Sequence, residues 1–187
     1  MKVPVHKKRW RINKKNLLIS LFFVMLVSTS ILGLVSNDRA PSQKYKNMEF
    51  KKIDQGWISF YANRQIFIPS DIPSLNDPKI QKLDLSPLNL KEKIYFSRNP
   101  LENNKIAIAQ FNSYIALSPR KVDACITDIA ECADTPLKTC KDATDKVGVI
   151  IFQEANETEV SFNDGCLLIQ GKDLLKTTDQ FILEQLQ

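Results

Sequence analysis

Residues 17–35 form an apolar segment that contains no charged side chain. Seven Lys and Arg residues precede this segment, and the first acidic residue of the chain is Asp38. Because a helix rises about 1.5 Å per residue, the segment approaches the roughly 30 Å of a bilayer's hydrocarbon core. Basic residues next to a span remain in the cytoplasm. The pattern predicts a basic cytoplasmic leader at 1–16 and a single-pass transmembrane helix at 17–35. The remainder is then extracytoplasmic, held at the cell membrane.

The alternative for this segment is a cleaved signal peptide, which has an apolar region of about 7–15 residues and a small-residue cleavage site. The segment here is longer, and its small residues Ser28, Thr29 and Ser30 lie inside the apolar stretch. We therefore favour an uncleaved signal anchor. Residues 36–47 are polar and predict a linker, which leads to one folded domain at 48–187.

Alternating and apolar runs predict the strands of this domain, at 57–61, 65–68, 94–96, 122–126, 147–152, 159–162 and 166–169. The run 147–152 is apolar throughout, which favours a buried central strand. Turn residues at Asn63, Asn156 and Asp164-Gly165 predict hairpins between consecutive strands. Pro69, Pro73 and Pro78 indicate an extended connector.

Two helices are predicted. The first runs from Pro100 to Leu117 with Asn99 as its N-cap. The second follows Gly171 and Asp173 and carries one apolar stripe, with Lys176, Asp179 and Glu184 outside it: Leu174, Leu175, Thr178, Phe181, Ile182 and Leu186. The order of elements predicts an α+β fold, a mostly antiparallel sheet covered by two helices. A crossover from 94–96 through the first helix to 122–126 would make that sheet mixed.

The positive charge of the chain is a signal of membrane topology. The leader holds seven of the 26 Lys and Arg residues and none of the 21 Asp and Glu residues. The rest of the chain is therefore slightly acidic, which excludes a general nucleic-acid-binding surface. The expected partners are the membrane itself and an envelope or surface protein.

All four cysteines, Cys125, Cys132, Cys140 and Cys166, lie in the predicted outer domain. An even number of cysteines outside the cytoplasm favours disulfides, and four cysteines allow three pairings. We prefer Cys125–Cys132, which closes a short loop, with Cys140–Cys166, which ties two strand ends. No Cys-x-x-Cys pair is present, as redox motifs and structural zinc sites usually require.

The only histidine, His6, lies in the leader, which removes histidine-based catalysis and histidine-ligated zinc from the outer domain. The chain has no Gly-x-Ser-x-Gly elbow and no phosphate-binding glycine loop. We expect no catalytic residue, no metal and no cofactor. Acidic residues near the cysteines could hold calcium or form a carboxylate pair, but no calcium-loop motif is present: Asp123, Asp128, Glu131, Asp134, Asp142 and Asp145.

Asn156-Glu157-Thr158 is an N-glycosylation sequon in a predicted outward turn, so Asn156 is a candidate acceptor. The aromatic residues Trp57, Phe60, Tyr61 and Phe67 are interpreted as core and edge packing. The apolar stripe of the last helix is interpreted as the surface that covers the sheet.

Four segments together resemble uncharacterised archaeal single-span membrane proteins: the aromatic hairpin at 57–69, Cys140-Lys141-Asp142-Ala143-Thr144, Cys166-Leu167-Leu168-Ile169, and Asp173-Leu174-Leu175. The resemblance implies an extracytoplasmic domain in which Cys140 and Cys166 are paired. It supplies no activity.

The sequence therefore predicts a membrane-anchored, non-catalytic binding or assembly module outside the cytoplasm. The alternative is an extracytoplasmic thiol-disulfide oxidoreductase or redox chaperone that uses Cys125 and Cys132. A third interpretation, a carboxylate-based hydrolase, requires two acids that face each other across a cleft.

Overall fold

The computed structural model describes residues 21, 22, 24, 25 and 40–187. The predicted leader, most of the predicted transmembrane segment and residues 36–39 lie outside the described residues. Within the described part of the chain, no helix is long and apolar enough to cross a membrane. The chain divides into two compact units, Met1–Pro41 and Ser42–Gln187, and the second is described below.

The second unit is α+β, and its strands form two sheets. The first sheet contains β1 (Ser42–Tyr45), β2 (Met48–Ile53), β3 (Gly56–Tyr61) and β4 (Arg64–Ile68). The second contains β5 (Lys93–Arg98), β6 (Arg120–Cys125), β7 (Val147–Glu154), β8 (Glu159–Asn163) and β9 (Cys166–Gly171). The helices are α1 (Ser86–Asn89), α2 (Lys105–Tyr114) and α3 (Leu174–Gln185), with short 3-10 turns at Ile72–Ser74, Ala130–Cys132 and Cys140–Asp142.

The first sheet is antiparallel in the order β1-β2-β3-β4. The predicted hairpin β3–β4 is confirmed, and its turn residues Ala62 and Asn63 have φ values of 48° and 62°. Strands β1 and β2 were not predicted, and β1 lies where a linker was expected, so the folded unit begins earlier. These strands bury few apolar side chains (Tyr45, Met48 and Phe50) between exposed polar ones, which gives a weak sequence pattern.

The second sheet has the order β6-β5-β7-β9-β8. Strand β5 pairs in parallel with β6 and β7, β7 pairs in parallel with β9, and only β8 is antiparallel to its neighbour. The predicted crossover from β5 through α2 to β6 is therefore confirmed. The prediction of one mostly antiparallel sheet was wrong, because the domain has two sheets and the second is mostly parallel.

Strands β7 and β8 do not form the hairpin predicted at Asn156, because β9 lies between them. Five consecutive residues of β7 are buried, and a strand of that kind is most stable inside a parallel sheet with neighbours on both sides. The hairpin between β8 and β9 is confirmed, with positive φ values of 49° at Asp164 and 81° at Gly165.

Helix α2 begins at Lys105, five residues later than predicted from Pro100. The segment before it is held by side chains instead, because Asn99 Oδ1 accepts from the Leu101 N–H and Asn104 Nδ2 donates to the Asn99 carbonyl. Asparagine competes with helical hydrogen bonds in this way, which delays the helix.

Helix α3 begins as predicted, with Asp173 as its N-cap. Its apolar residues belong to two hydrophobic clusters. Phe181 and Ile182 pack with the second sheet, and Leu183 packs with the first. The predicted stripe therefore does cover sheet. Asp179 and Glu184, which the prediction placed outside the apolar stripe, are nevertheless buried.

Candidate functional site

An open cleft of about 870 Å³ lies at the carboxyl edge of the second sheet. Asn103, which follows β5, Glu154 at the end of β7, and Lys172, which follows β9, line its walls. The three strands are parallel, so their carboxyl ends meet at one edge. Ligands of open α/β sheets bind at that edge, and the volume falls within the roughly 300–1,000 Å³ of small-molecule sites.

The turn from β9 into α3 forms one wall of the cleft. A Cβ atom on Gly171 would lie 2.4 Å from Thr177 Oγ1, so only glycine permits this close approach. The Thr177 hydroxyl donates to the Asp173 carbonyl at 3.0 Å, and the Asp173 carboxylate accepts from the Lys176 N–H at 3.0 Å. These contacts fix the first turn of α3 against the end of the sheet.

Glu154 lines the cleft at the end of β7, where Glu102 holds its backbone. Glu102 Oε2 accepts from the Glu154 N–H at 2.7 Å, and Glu154 Oε1 accepts from the Asn103 N–H at 3.1 Å. This reciprocal pair joins the loop after β5 to the end of β7. It leaves the Glu154 carboxylate exposed on the cleft wall.

Lys172 and Lys176 place two ammonium groups on the wall formed by α3. Among the described residues, neither of them forms an ion pair. The lining of the cleft therefore combines these two unpaired cations with carboxylates, including Glu154, Asp77 and Asp173. Such a lining favours a polar ligand that carries charges of both signs.

The buried polar side chains of α3 fix the proline-rich connector that forms the rim of the cleft. Gln180 holds the backbone of Asp77 with two hydrogen bonds, of 3.0 Å to its N–H and 2.7 Å to its carbonyl. Asp179 Oδ2 accepts from the Ser70 N–H at 3.1 Å. Burial raises the pKa of Asp179 to about 6, although the hydrogen bonds from Ser70 oppose the shift.

A second polar cluster ties the first sheet to the end of α3. The Tyr45 hydroxyl donates to Glu184 Oε1 at 2.7 Å, and Lys46 Nζ lies 2.5 Å from Glu184 Oε2. Burial, followed by the neighbouring Glu184 carboxylate, raises the pKa of Tyr45 well above its usual value. The Tyr45 side chain therefore acts as a hydrogen-bond donor at physiological pH.

Both preferred disulfides are present, Cys125–Cys132 and Cys140–Cys166. Cys125 and Cys132 are each only 4% exposed, whereas Cys140 is exposed. The second bridge connects the segment before β7 to the start of β9, two neighbouring strands. Neither bridge lies in the cleft.

The acidic residues near the cysteines do not converge. Asp123, Asp128, Glu131 and Asp134 are exposed, and within residues 40–187 no three His, Cys, Asp or Glu side chains group as a possible metal site. Asp142 closes a capping box on the turn that carries Cys140. The Thr139 N–H, and then Lys138 at 3.0 Å, hold the pKa of Asp142 below its usual value.

Asn156 is exposed between β7 and β8, and its glycosylation stays a prediction. The aromatic residues predicted as core and edge packing separate onto two faces of the first sheet. Trp57 is 4% exposed, but Phe60 is 73% exposed, so the interpretation of Phe60 as a packed residue was wrong. Alternation along a short strand places neighbouring aromatics on opposite faces.

The cleft residues Asn103, Glu154, Lys172 and Lys176 were not identified from the sequence. One local signal pointed to them, a glycine and a capping aspartate at the end of a strand that feeds a helix. That signal identifies a strand-to-helix turn, but the cleft also requires β5, β7 and β9 to be successive strands of one sheet, which the tertiary structure decides. Comparison with models of protein families, with curated proteins and with solved structures finds no match to this chain.

Proposed function

We propose that this chain is a membrane-anchored binding module, without catalytic activity, whose folded domain lies outside the cytoplasm. The observation that carries the proposal is the cleft, which combines a ligand-sized volume with unpaired charges of both signs. Residues 17–35 supply the anchor and the basic leader sets its orientation. The partner expected at the membrane is an envelope or surface component, and no nucleic acid is involved.

The state of the cysteines supports an exported, structural scaffold. Disulfides persist in oxidising compartments, and all four cysteines of the chain are paired. A thiol oxidoreductase that uses Cys125 and Cys132 needs an accessible sulfur for a substrate thiolate to attack. Both residues are buried, which argues against that alternative.

The ligand we propose for the cleft is a small zwitterionic molecule of the amino acid or dipeptide class. Its carboxylate would meet Lys172 and Lys176, and its ammonium group would meet Glu154 or Asp77. Charge-assisted hydrogen bonds of this kind are stronger than neutral ones, and they would orient the ligand across the cleft.

The binding test is a titration of the full-length protein in detergent with free amino acids and dipeptides, followed by amide NMR. We expect shift changes at residues 172–177 and at Glu154, with Lys176→Gln weakening the binding about tenfold through loss of one charge-assisted contact. The matched control is Lys105→Gln, an exposed lysine that does not line the cleft. Shift changes that are absent, or that are the same in Lys176→Gln, would contradict the proposed ligand.

The test of location is a pair of reporter fusions after Gln187. Alkaline phosphatase, which needs disulfides, is expected to be active, and a fluorescent protein that folds in the cytoplasm is expected to be dark. Replacing the basic residues of the leader with glutamine should reduce the phosphatase signal, because the charge bias sets orientation. An active cytoplasmic reporter on the native chain would refute the assigned location.

A further inference from the structure

The outer face of the first sheet carries an exposed apolar patch next to lysines. Residues directly opposite in antiparallel strands share a face, and the pairs Ser42↔Lys51, Lys51↔Ile58 and Ile58↔Phe67 form one row across all four strands. Phe60 lies on the same face, two residues from Ile58, and is 73% exposed. A groove of about 290 Å³ runs beside it, lined by Lys51, Ile58 and Phe60 among others.

The charge of the domain is divided between its two parts. Residues 42–68, which form the first sheet, contain five Lys and Arg against two Asp and Glu, whereas residues 69–187 contain thirteen against eighteen. Lys44 and Lys51 form no ion pair among the described residues. Glu49 is the one carboxylate among the outward-facing strand residues of this sheet, and it lies opposite Lys44. The segment of the first sheet is therefore basic relative to the rest of the domain, and its outer face carries two lysines, Lys44 and Lys51, against the single carboxylate of Glu49.

The chain connects this face to the apolar segment over a short distance. Six residues, 36–41, separate the end of that segment from Ser42, and Ser42 begins the row that leads to Lys51 and Phe67. Six extended residues span at most about 20 Å. The first sheet is therefore the part of the folded domain that lies nearest in sequence to the proposed anchor.

We infer that the outer face of the first sheet docks on the lipid surface of the membrane that holds the anchor. Lys51 and Lys44 contact anionic headgroups, and Phe60 enters the interfacial region beside Ile58 and Phe67. Basic side chains near an anionic surface and exposed aromatic rings are the two features that favour such docking. This inference rests on the proposed anchor.

The experiment uses the full-length chain in nanodiscs that contain a headgroup-chelated gadolinium lipid, which attenuates amide NMR signals near the surface. The bilayers are phosphatidylcholine alone or a mixture with phosphatidylglycerol. In the mixture, we expect strong attenuation at Lys51, Ile58, Phe60 and Phe67 and weak attenuation around Leu90. Lys51→Gln should lower the ratio of docked to undocked protein about fivefold, as expected for one lysine at an anionic surface.

Phe60→Ser should reduce the attenuation in both lipid mixtures, since it removes the apolar contact. The matched controls are Leu90→Ser and Lys105→Gln, an exposed leucine and an exposed lysine outside the first sheet, which should leave it unchanged. Protein that enters the nanodisc but shows equal attenuation at Phe60 and Leu90 would overturn the docking alone. Protein that fails to enter the nanodisc would overturn both the anchor and the docking. Attenuation that appears only with several chains per disc would assign the face to a second copy instead.

Discussion

The most informative single residues are the buried polar ones of α3. Asp179 is fully buried, and its Oδ2 accepts from Ser70, while Oδ1 has no hydrogen-bond partner among the described atoms. A carboxylate in this setting is destabilised by loss of hydration, which is why burial raises its pKa to about 6. The buried carboxylate of Asp179 therefore lowers the stability of the fold at neutral pH, while its hydrogen bond with Ser70 holds the connector in place.

Replacing Asp179 with asparagine should stabilise the protein at neutral pH. The pKa is raised from 3.8 to about 6 on folding, so the group favours the folded state most below pH 3.8 and loses that contribution as the pH rises through about 6. Above about pH 6, the free energy of unfolding of the variant should exceed that of the native protein by at most about 3 kcal/mol, since one pKa unit corresponds to about 1.4 kcal/mol. Asparagine retains an acceptor for Ser70.

Chemical denaturation of the full chain at several pH values measures this effect. The difference between Asp179→Asn and the native protein should shrink as the pH falls from 6 towards 3.8. Asp128→Asn, at an exposed position, is the matched control. A difference that does not vary with pH would show that the carboxylate charge is not the cause.

At the scale of elements, the two disulfides hold different kinds of structure. Cys125–Cys132 closes a local loop after β6 with a sequence separation of 7, whereas Cys140–Cys166 joins the segments before β7 and β9 with a separation of 26. The longer loop constrains the unfolded chain more. The chain-entropy estimate gives about 3.5 kcal/mol for it and about 2.5 kcal/mol for the shorter one.

Graded reduction of the native protein should open the two bridges in a fixed order. Cys140 is exposed, whereas Cys125, Cys132 and Cys166 are buried, so attack at Cys140 should reduce Cys140–Cys166 first. Differential thiol labelling with mass spectrometry reads the order directly. Denatured protein is the control, because both bridges are then equally accessible. If Cys125–Cys132 is reduced before Cys140–Cys166 in the folded protein, the result would support the oxidoreductase alternative.

At the scale of the whole domain, α3 connects two hydrophobic clusters. Leu183 is fully buried in the cluster of the first sheet, while Phe181 and Ile182 belong to the cluster of the second. The Tyr45–Glu184 hydrogen bond adds a polar link at the same end of the helix. α3 therefore contributes to the attachment of the first sheet, together with Ile72 and Leu75 of the connector and Tyr114 of α2.

Leu183→Ala should loosen the first sheet before the rest of the domain unfolds. The cavity should lower stability by about 2–5 kcal/mol. In the variant, fluorescence of Trp57 should change at lower denaturant than the circular dichroism signal, whereas the two transitions coincide in the native protein. Ile150→Val, in the other cluster, should shift both transitions together by about 1 kcal/mol. If the two transitions coincide in Leu183→Ala, the first sheet does not loosen before the rest of the domain, and the prediction is wrong.

Local patterns in the sequence predicted the elements whose signals lie within the element itself. The turns at Asn63 and Asp164-Gly165, the apolar strand β7 and the start of the last helix after Asp173 are all confirmed. The weakly patterned strands β1 and β2 were missed. The start of α2 was misplaced because Asn99 and Asn104 take part in side-chain hydrogen bonds that a propensity argument does not include.

The sequence by itself determined the α+β class and the absence of histidine from residues 36–187, because each follows from residue types and their order, and it allowed the β5–α2–β6 crossover that the parallel pairing confirms. Only the tertiary structure decided that β9 inserts beside β7, that the strands form two sheets, and that Asp179 and Glu184 are buried. Strand order depends on which surfaces remain free to pair after the chain collapses. The cleft arises from that arrangement, since it brings together side chains from segments far apart in the sequence.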